Sequence, residues 1–373
     1  MNKVLFLIAF FLLSNLHVFS QVYSDKIIGK KHISEIDSLK SSEYPYILPI
    51  WGEKATKKGF KLPYSAGLSI NYFTQQSDLI LNNLSVGFNN GPMYNIDEIV
   101  RFNSAVSNAN AITIRPDIWL LPFLNVYAIF GKANTSTAID ASIWIPNTEN
   151  NWTEIMSFKT KAEFNATTFG LGMTPTIGVG GGWIALDMNF VWSDVSALDK
   201  PVFTSVFGPR FGKSFKLKKP DSNIAFWAGG FRVHFTSDTN GSMNLNELIS
   251  IDGLQEKVDN GIIKVGENQV QVDEWWNSLT PIQQNNPVNI AKYNTANRVL
   301  ETTGNFLATL DTALNDPNNA TVQYNLDKDL KDAWNFILGS QYQLNMHWMI
   351  RAEVGFLGSR EQFMTGLQYR FGL

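Results

Sequence analysis

The chain has 373 residues, 17% of them charged and 13% aromatic, with a formal net charge of -3 and no cysteine. The missing cysteine excludes a disulfide framework and a lipid-anchoring thiol, and the charge balance argues against a nucleic-acid surface. Few charges, many aromatics and no second apolar run long enough for a membrane-crossing helix point to a β-barrel membrane protein, with a large secreted β-sandwich as the competing class.

Met1-Asn2-Lys3, the apolar run Val4–Leu13 and the small-residue positions Val18 and Ser20 predict a secretory signal peptide over residues 1–20. The predicted address is the periplasm or outer membrane. Residues 21–63 contain the amphipathic piece Ser34–Leu39 and then prolines and aromatics from Tyr44 to Trp51 without strand periodicity. This segment is expected on the periplasmic side or in the barrel mouth, with a disordered leader as the alternative.

Residues 64–373 are predicted to form an antiparallel up-and-down transmembrane β-barrel. Strands are expected near Ser65–Tyr72, Leu79–Phe88, Glu98–Val106, Ala111–Leu120, Phe123–Gly131, Glu163–Met173, Gly178–Trp192, Val202–Phe215 and Asn223–Thr236. With Trp334–Asn345, Met349–Leu357 and Gln362–Leu373 these make about 12, an even number as single-chain barrels require. Tight periplasmic turns are expected at Leu121-Pro122, Thr174-Pro-Thr176 and Met346-His347, and longer outer loops at Asp140–Glu154 and Ser193–Lys200. The insertion over residues 237–332 carries Val299, Leu300, Thr303, Phe306, Leu307, Leu310 and Leu314 at helical spacing, and Thr280-Pro281 reads as a helix start. It is expected to be an extracellular cap, a plug in the lumen, or a subdomain packed on itself.

Alternation within strands assigns their faces. Ile184, Leu186, Met188, Phe190 and Trp192 are expected to face lipid, as are Phe203, Phe207, Phe211, Trp227, Phe231, Val233 and Phe235. The opposite face then holds the lumen-lining candidates Arg115, Asp117, Asp187, Arg210, Arg232, His234, Arg351, Glu353 and Arg370. They read either as a constriction selecting solutes by charge or as paired charges filling the barrel. Gly170, Gly172, Gly208 and Gly212 share the inward face, and Gly178, Gly180 and Gly182 fall on the lipid side or at a bend. No nucleophile, base and orienter can be assembled around the histidines, so no catalytic residue, metal ligand or cofactor is predicted.

Ile114-Arg115-Pro-Asp-Ile-Trp119-Leu-Leu-Pro122, Gly208-Pro-Arg210-Phe-Gly212, Trp334-Asn-Phe-Ile-Leu-Gly339, Arg351-Ala-Glu353 and the closing Tyr369-Arg-Phe371 resemble a family of uncharacterised Gram-negative outer-membrane β-barrels. The resemblance implies an outer-membrane location, lipid as a partner, a C-terminal strand read by the barrel assembly machinery, and a transporter or porin role. The expected function is passage or binding of a small polar solute. The alternatives are a non-conducting barrel displaying its insertion for adhesion or partner binding and, more remotely, a barrel enzyme acting on lipid.

Overall fold

A computed structural model of the protein describes residues 25–26, 37, 40–41, 43–147, 151–196, 198–236 and 238–373. The expected signal peptide lies outside them. The long strands are β1 (Ala66–Phe88), β2 (Val100–Leu121), β3 (Leu124–Pro146), β4 (Trp152–Val179), β5 (Gly182–Val195), β6 (Val202–Lys216) and β7 (Asn223–Phe235). After them come β8 (Asp238–Asn244), the helices α1 (Leu254–Ser278) and α2 (Pro287–Leu314), then β9 (Thr321–Leu330), β10 (Trp334–Gln343), β11 (Trp348–Phe356) and β12 (Arg360–Phe371). Strands β1 to β7 and β10 to β12 form one antiparallel ladder that closes on itself, because Ala66 of β1 pairs with Phe371 of β12 on one side and Ile118 of β2 on the other.

Ten strands therefore close the barrel, still an even number but two fewer than predicted. The polar stretches Thr74–Asp78 and Ser107–Asn110 look like loops in sequence, yet the first keeps the register of the residues below it on β2 and the second keeps one register with β3 above and below it. A bilayer needs strands of only about 9–11 residues, whereas β1, β2, β3 and β4 run to 23, 22, 23 and 28. The barrel stands well clear of the membrane at one end, and the polar stretches mark where it emerges. Merging two pairs of predicted strands leaves the parity of every later strand unchanged.

Tight turns join β2 to β3 and β10 to β11 at the lower end, where the barrel starts and finishes. The turn expected at Thr174-Pro-Thr176 lies instead at Gly180 and Gly181, whose φ of 59° and 79° suits a two-residue hairpin turn. Pro175 sits within β4 opposite Leu124, the last rung of the β3 ladder, where a missing N–H is best tolerated.

Above Asp78, β1 parts from β2 and becomes the base of a second sheet. Leu79 pairs with Leu330 and Phe88 with Val322 on β9, and β9 pairs with β8 through Asn325 and Asn240. Helices α1 and α2 form a hairpin whose apolar stripe packs on the upper ends of β3 and β4. Val258, Leu300, Leu307, Ile143 and Ile145 are buried together there. All seven stripe residues expected from spacing on α2 are buried. A capping box between Thr280 and Gln283 opens the short helix that links the two long ones.

The faces of the strands invert part-way up. In the lower part bulky apolar side chains point outward: Ile112 is 60% exposed, Phe211 61% and Ile350 50%. On β4 the outward residues change from Met173, Leu171 and Phe169 to Glu163, Lys161 and Lys159 on ascending the strand, while the inward ones change from Thr176 and Thr174 to Phe164, Ala162 and Phe158. Lipid-out and polar-in gives way to polar-out and apolar-in within one strand, which is what a barrel leaving the bilayer for water requires.

Candidate functional site

The lower interior is a floor of interlocked polar side chains. Arg210 donates from Nε and Nη2 to both oxygens of Glu353, at 2.9 and 3.2 Å, and pairs through Nη1 with Asp187 at 2.9 Å. Trp227 adds its indole N–H to Glu353 at 2.8 Å, and Thr174 and Tyr127 donate hydroxyls to Asp187. Arg115 lies over the Tyr127 ring, 3.2 Å from its centre, and reaches Asp187 at 3.8 Å. Beside this cluster, Asp117 accepts from Arg370 at 3.0 Å, from Asn125 at 2.7 Å and from Gln368. Arg370 also donates to the backbone carbonyl of Tyr64 at 3.0 Å, tying the floor to the segment before β1.

Seven of the nine predicted lumen residues are brought together here: Arg115, Asp117, Asp187, Arg210, Arg351, Glu353 and Arg370. Arg210 is bidentate to Glu353 and pairs once with Asp187, Arg370 pairs with Asp117, and Arg351 lies over the Trp227 ring at 5.8 Å, so these side chains fill the section and lock its register; the space left between them is only about 80 Å³. The glycines on this face make room for large neighbours. A Cβ at Gly172 would overlap the Tyr127 ring, at Gly212 the Trp183 ring and at Gly339 the Trp227 ring.

Arg232 and His234 are the two exceptions, and their faces are reversed from expectation. Both are exposed on the outside of β7, and Phe231, Val233 and Phe235 point inward. They belong to the emerged part of the barrel, where water is outside and the interior is apolar. Trp227, expected to face lipid, is likewise buried in the floor.

Above the floor lies a cavity of about 560 Å³ that sequence reasoning missed. Phe73, Leu79, Leu81, Phe102, Ile139, Phe158, Phe164, Phe231, Val233 and Phe235 line its walls, with Thr135, Thr137, Thr168 and Ser193 among them. Leu245, Leu254, Phe306 and Leu310 of the insertion close its upper end, and Tyr324, Leu326, Lys328 and Leu330 of β9 form one side. The signal was present in sequence as Phe158, Phe164, Phe231 and Phe235. Alternation alone reports two faces without saying which one is wet.

A single chain closed into a barrel, with an apolar outer belt and no open sheet edge in lipid, is an outer-membrane β-barrel. No protein-family model and no curated protein sequence matches the chain. Among solved structures it is similar to the β domain of the Bordetella autotransporter BrkA, at 8% identity and TM-score 0.31 over 82% of this chain and 100% of that one. The translocator domain of the autotransporter NalP from Neisseria meningitidis gives 11% identity and TM-score 0.31 over 85% and 92%. A Pseudomonas aeruginosa FadL homologue gives 8% and 0.26 over 82% and 90%.

Proposed function

We propose that this barrel takes apolar molecules into the emerged chamber from the extracellular side. The observation that carries the reading is the inversion of the strands: above the membrane the interior is lined by Phe and Leu side chains and covered by a helical hairpin. A polar solute would lose its hydration there with few partners in return, so the small polar solute expected from sequence gives way to an apolar one. The paired charges beneath make the lower exit a seal. An apolar cavity of several hundred Å³ with a few hydroxyls is the usual form of a small-molecule site. We read the chain as non-enzymatic, and β12, with Tyr369 and Phe371 outward, is the strand we assign to the assembly machinery.

The test uses the full chain refolded into an amphipathic polymer, where tritiated hexadecanol should bind saturably. In parallel, liposomes carrying the protein should not swell in arabinose. Swelling without hexadecanol binding would replace this reading with a polar pore. A second reading, display of the insertion, is favoured by the exposure of Ile282 at 85% and Val288 at 61% near the tip of the hairpin. Substituting both by serine should leave hexadecanol binding intact and abolish any cell adhesion that the tip confers.

A further inference from the structure

Among the described residues, the chamber lining carries one charge: Lys328 is the only one with an ionised side chain, and Tyr324 the only other titratable group. On β9 the residues Val322, Tyr324, Leu326, Lys328 and Leu330 turn inward, while Gln323, Asn325, Asp327 and Asp329 turn outward. The polar outer face puts this strand in water above the bilayer, with the lysine aimed into the apolar space. Its ammonium lies 5.8 Å from the centre of the Phe235 ring, and no described carboxylate pairs with it. Asp327 is taken by Asn83, and Asp78 by Lys331. Burial without a counter-charge holds Lys328 below the ordinary lysine range.

We propose that the chamber binds a long-chain carboxylate, with the acid group on the ammonium of Lys328 and the apolar chain running down towards Phe73. This deepens, and rests on, the reading of the chamber as an apolar ligand site. A carboxylate supplies the partner that the protein withholds, and the rest of the lining suits hydrocarbon. Lys328 pairs across β1 with Leu81, and from there to Phe73 the strand runs roughly 26 Å at ~3.3 Å per residue, room for an extended chain.

The experiment compares tritiated palmitate with tritiated hexadecanol, which has the same chain and no charge. Both are measured at neutral pH on the full-length protein in amphipathic polymer, with empty polymer as the blank. Wild type should bind palmitate about tenfold or more tightly than hexadecanol. Lys328→Met should lose that preference while keeping hexadecanol binding, and Lys328→Arg should keep it. Equal affinity of wild type for the two probes, or an undiminished preference in Lys328→Met, would overturn the carboxylate assignment while leaving the chamber as an apolar site. Absence of binding for both probes, in protein whose heat-modifiable gel mobility shows it folded, would remove the chamber reading itself.

Discussion

Arg210 sits between two carboxylates with its side chain almost wholly buried, so its removal takes the salt bridge from Glu353 and leaves Asp187 with only the longer contact to Arg115. Arg210→Met should therefore destabilise the barrel by roughly 3–5 kcal/mol, read from urea unfolding in phospholipid vesicles. A loss well under 1 kcal/mol would mean that the floor is hydrated and its pairing weak. Gly339→Ala should act on the same cluster from below: the added methyl displaces the Trp227 ring and its bond to Glu353, at a cost of about 1–3 kcal/mol. Lys328 predicts the opposite sign. Burial lowers its pKa in the folded chain and no described carboxylate pairs with it, so Lys328→Met should stabilise the ligand-free protein by about 1 kcal/mol. A group with a lowered lysine pKa destabilises while it is charged in the folded state and ceases to do so as it is neutralised. The gap between variant and wild type should thus close as pH rises towards the ordinary value of 10.5. A gap that widens with pH would contradict the assignment of an unpaired ammonium.

At the scale of elements, the helical hairpin covers the chamber without taking part in the ladder that closes the barrel. Replacing residues 253–316 by a short glycine-serine linker should leave a folded, heat-modifiable barrel with a wetter chamber. A cysteine placed at Thr137 should then react with a water-soluble maleimide many times faster than in the intact chain; an unchanged rate would show that the hairpin is not the cover. The ten strands of the closed barrel were legible in sequence because period-2 alternation marks each of them, whereas β8 and β9 lie inside the insertion read as helical and were missed; the turns at Leu121-Pro122 and Met346-His347 lay where parity put them. Their length and their sidedness were less legible. Thr74–Asp78 reads as a loop until its partners on β2 and β12 are known. Phe231, Val233 and Phe235 alternate with Arg232 and His234 whichever way the strand faces. The charged floor could be assembled from sequence because its residues lie within the belt, where apolar means lipid. The chamber could not, because above the belt the same pattern has the opposite meaning, and nothing local in the chain marks the change.

The whole molecule is a membrane barrel below and, in its physical chemistry, a water-soluble barrel above. The seal between the halves predicts an ion-tight protein: planar bilayers carrying the intact chain should show no conductance steps. The variant Asp117→Ala, Asp187→Ala, Arg210→Ala, Glu353→Ala and Arg370→Ala should open to steps if it folds, and steps of full size in the wild type would refute the seal. The double membership of β1 also orders events in time. Its lower half waits for β12 to close the cylinder, and its upper half waits for β9 to wall the chamber, partners more than two hundred positions later in the chain. Neither half can be completed early, so the pocket has no wall on this side until β9 has docked on β1. A half-made chain offers hydrophobic guests no enclosed interior, and any cargo must enter a finished protein from outside.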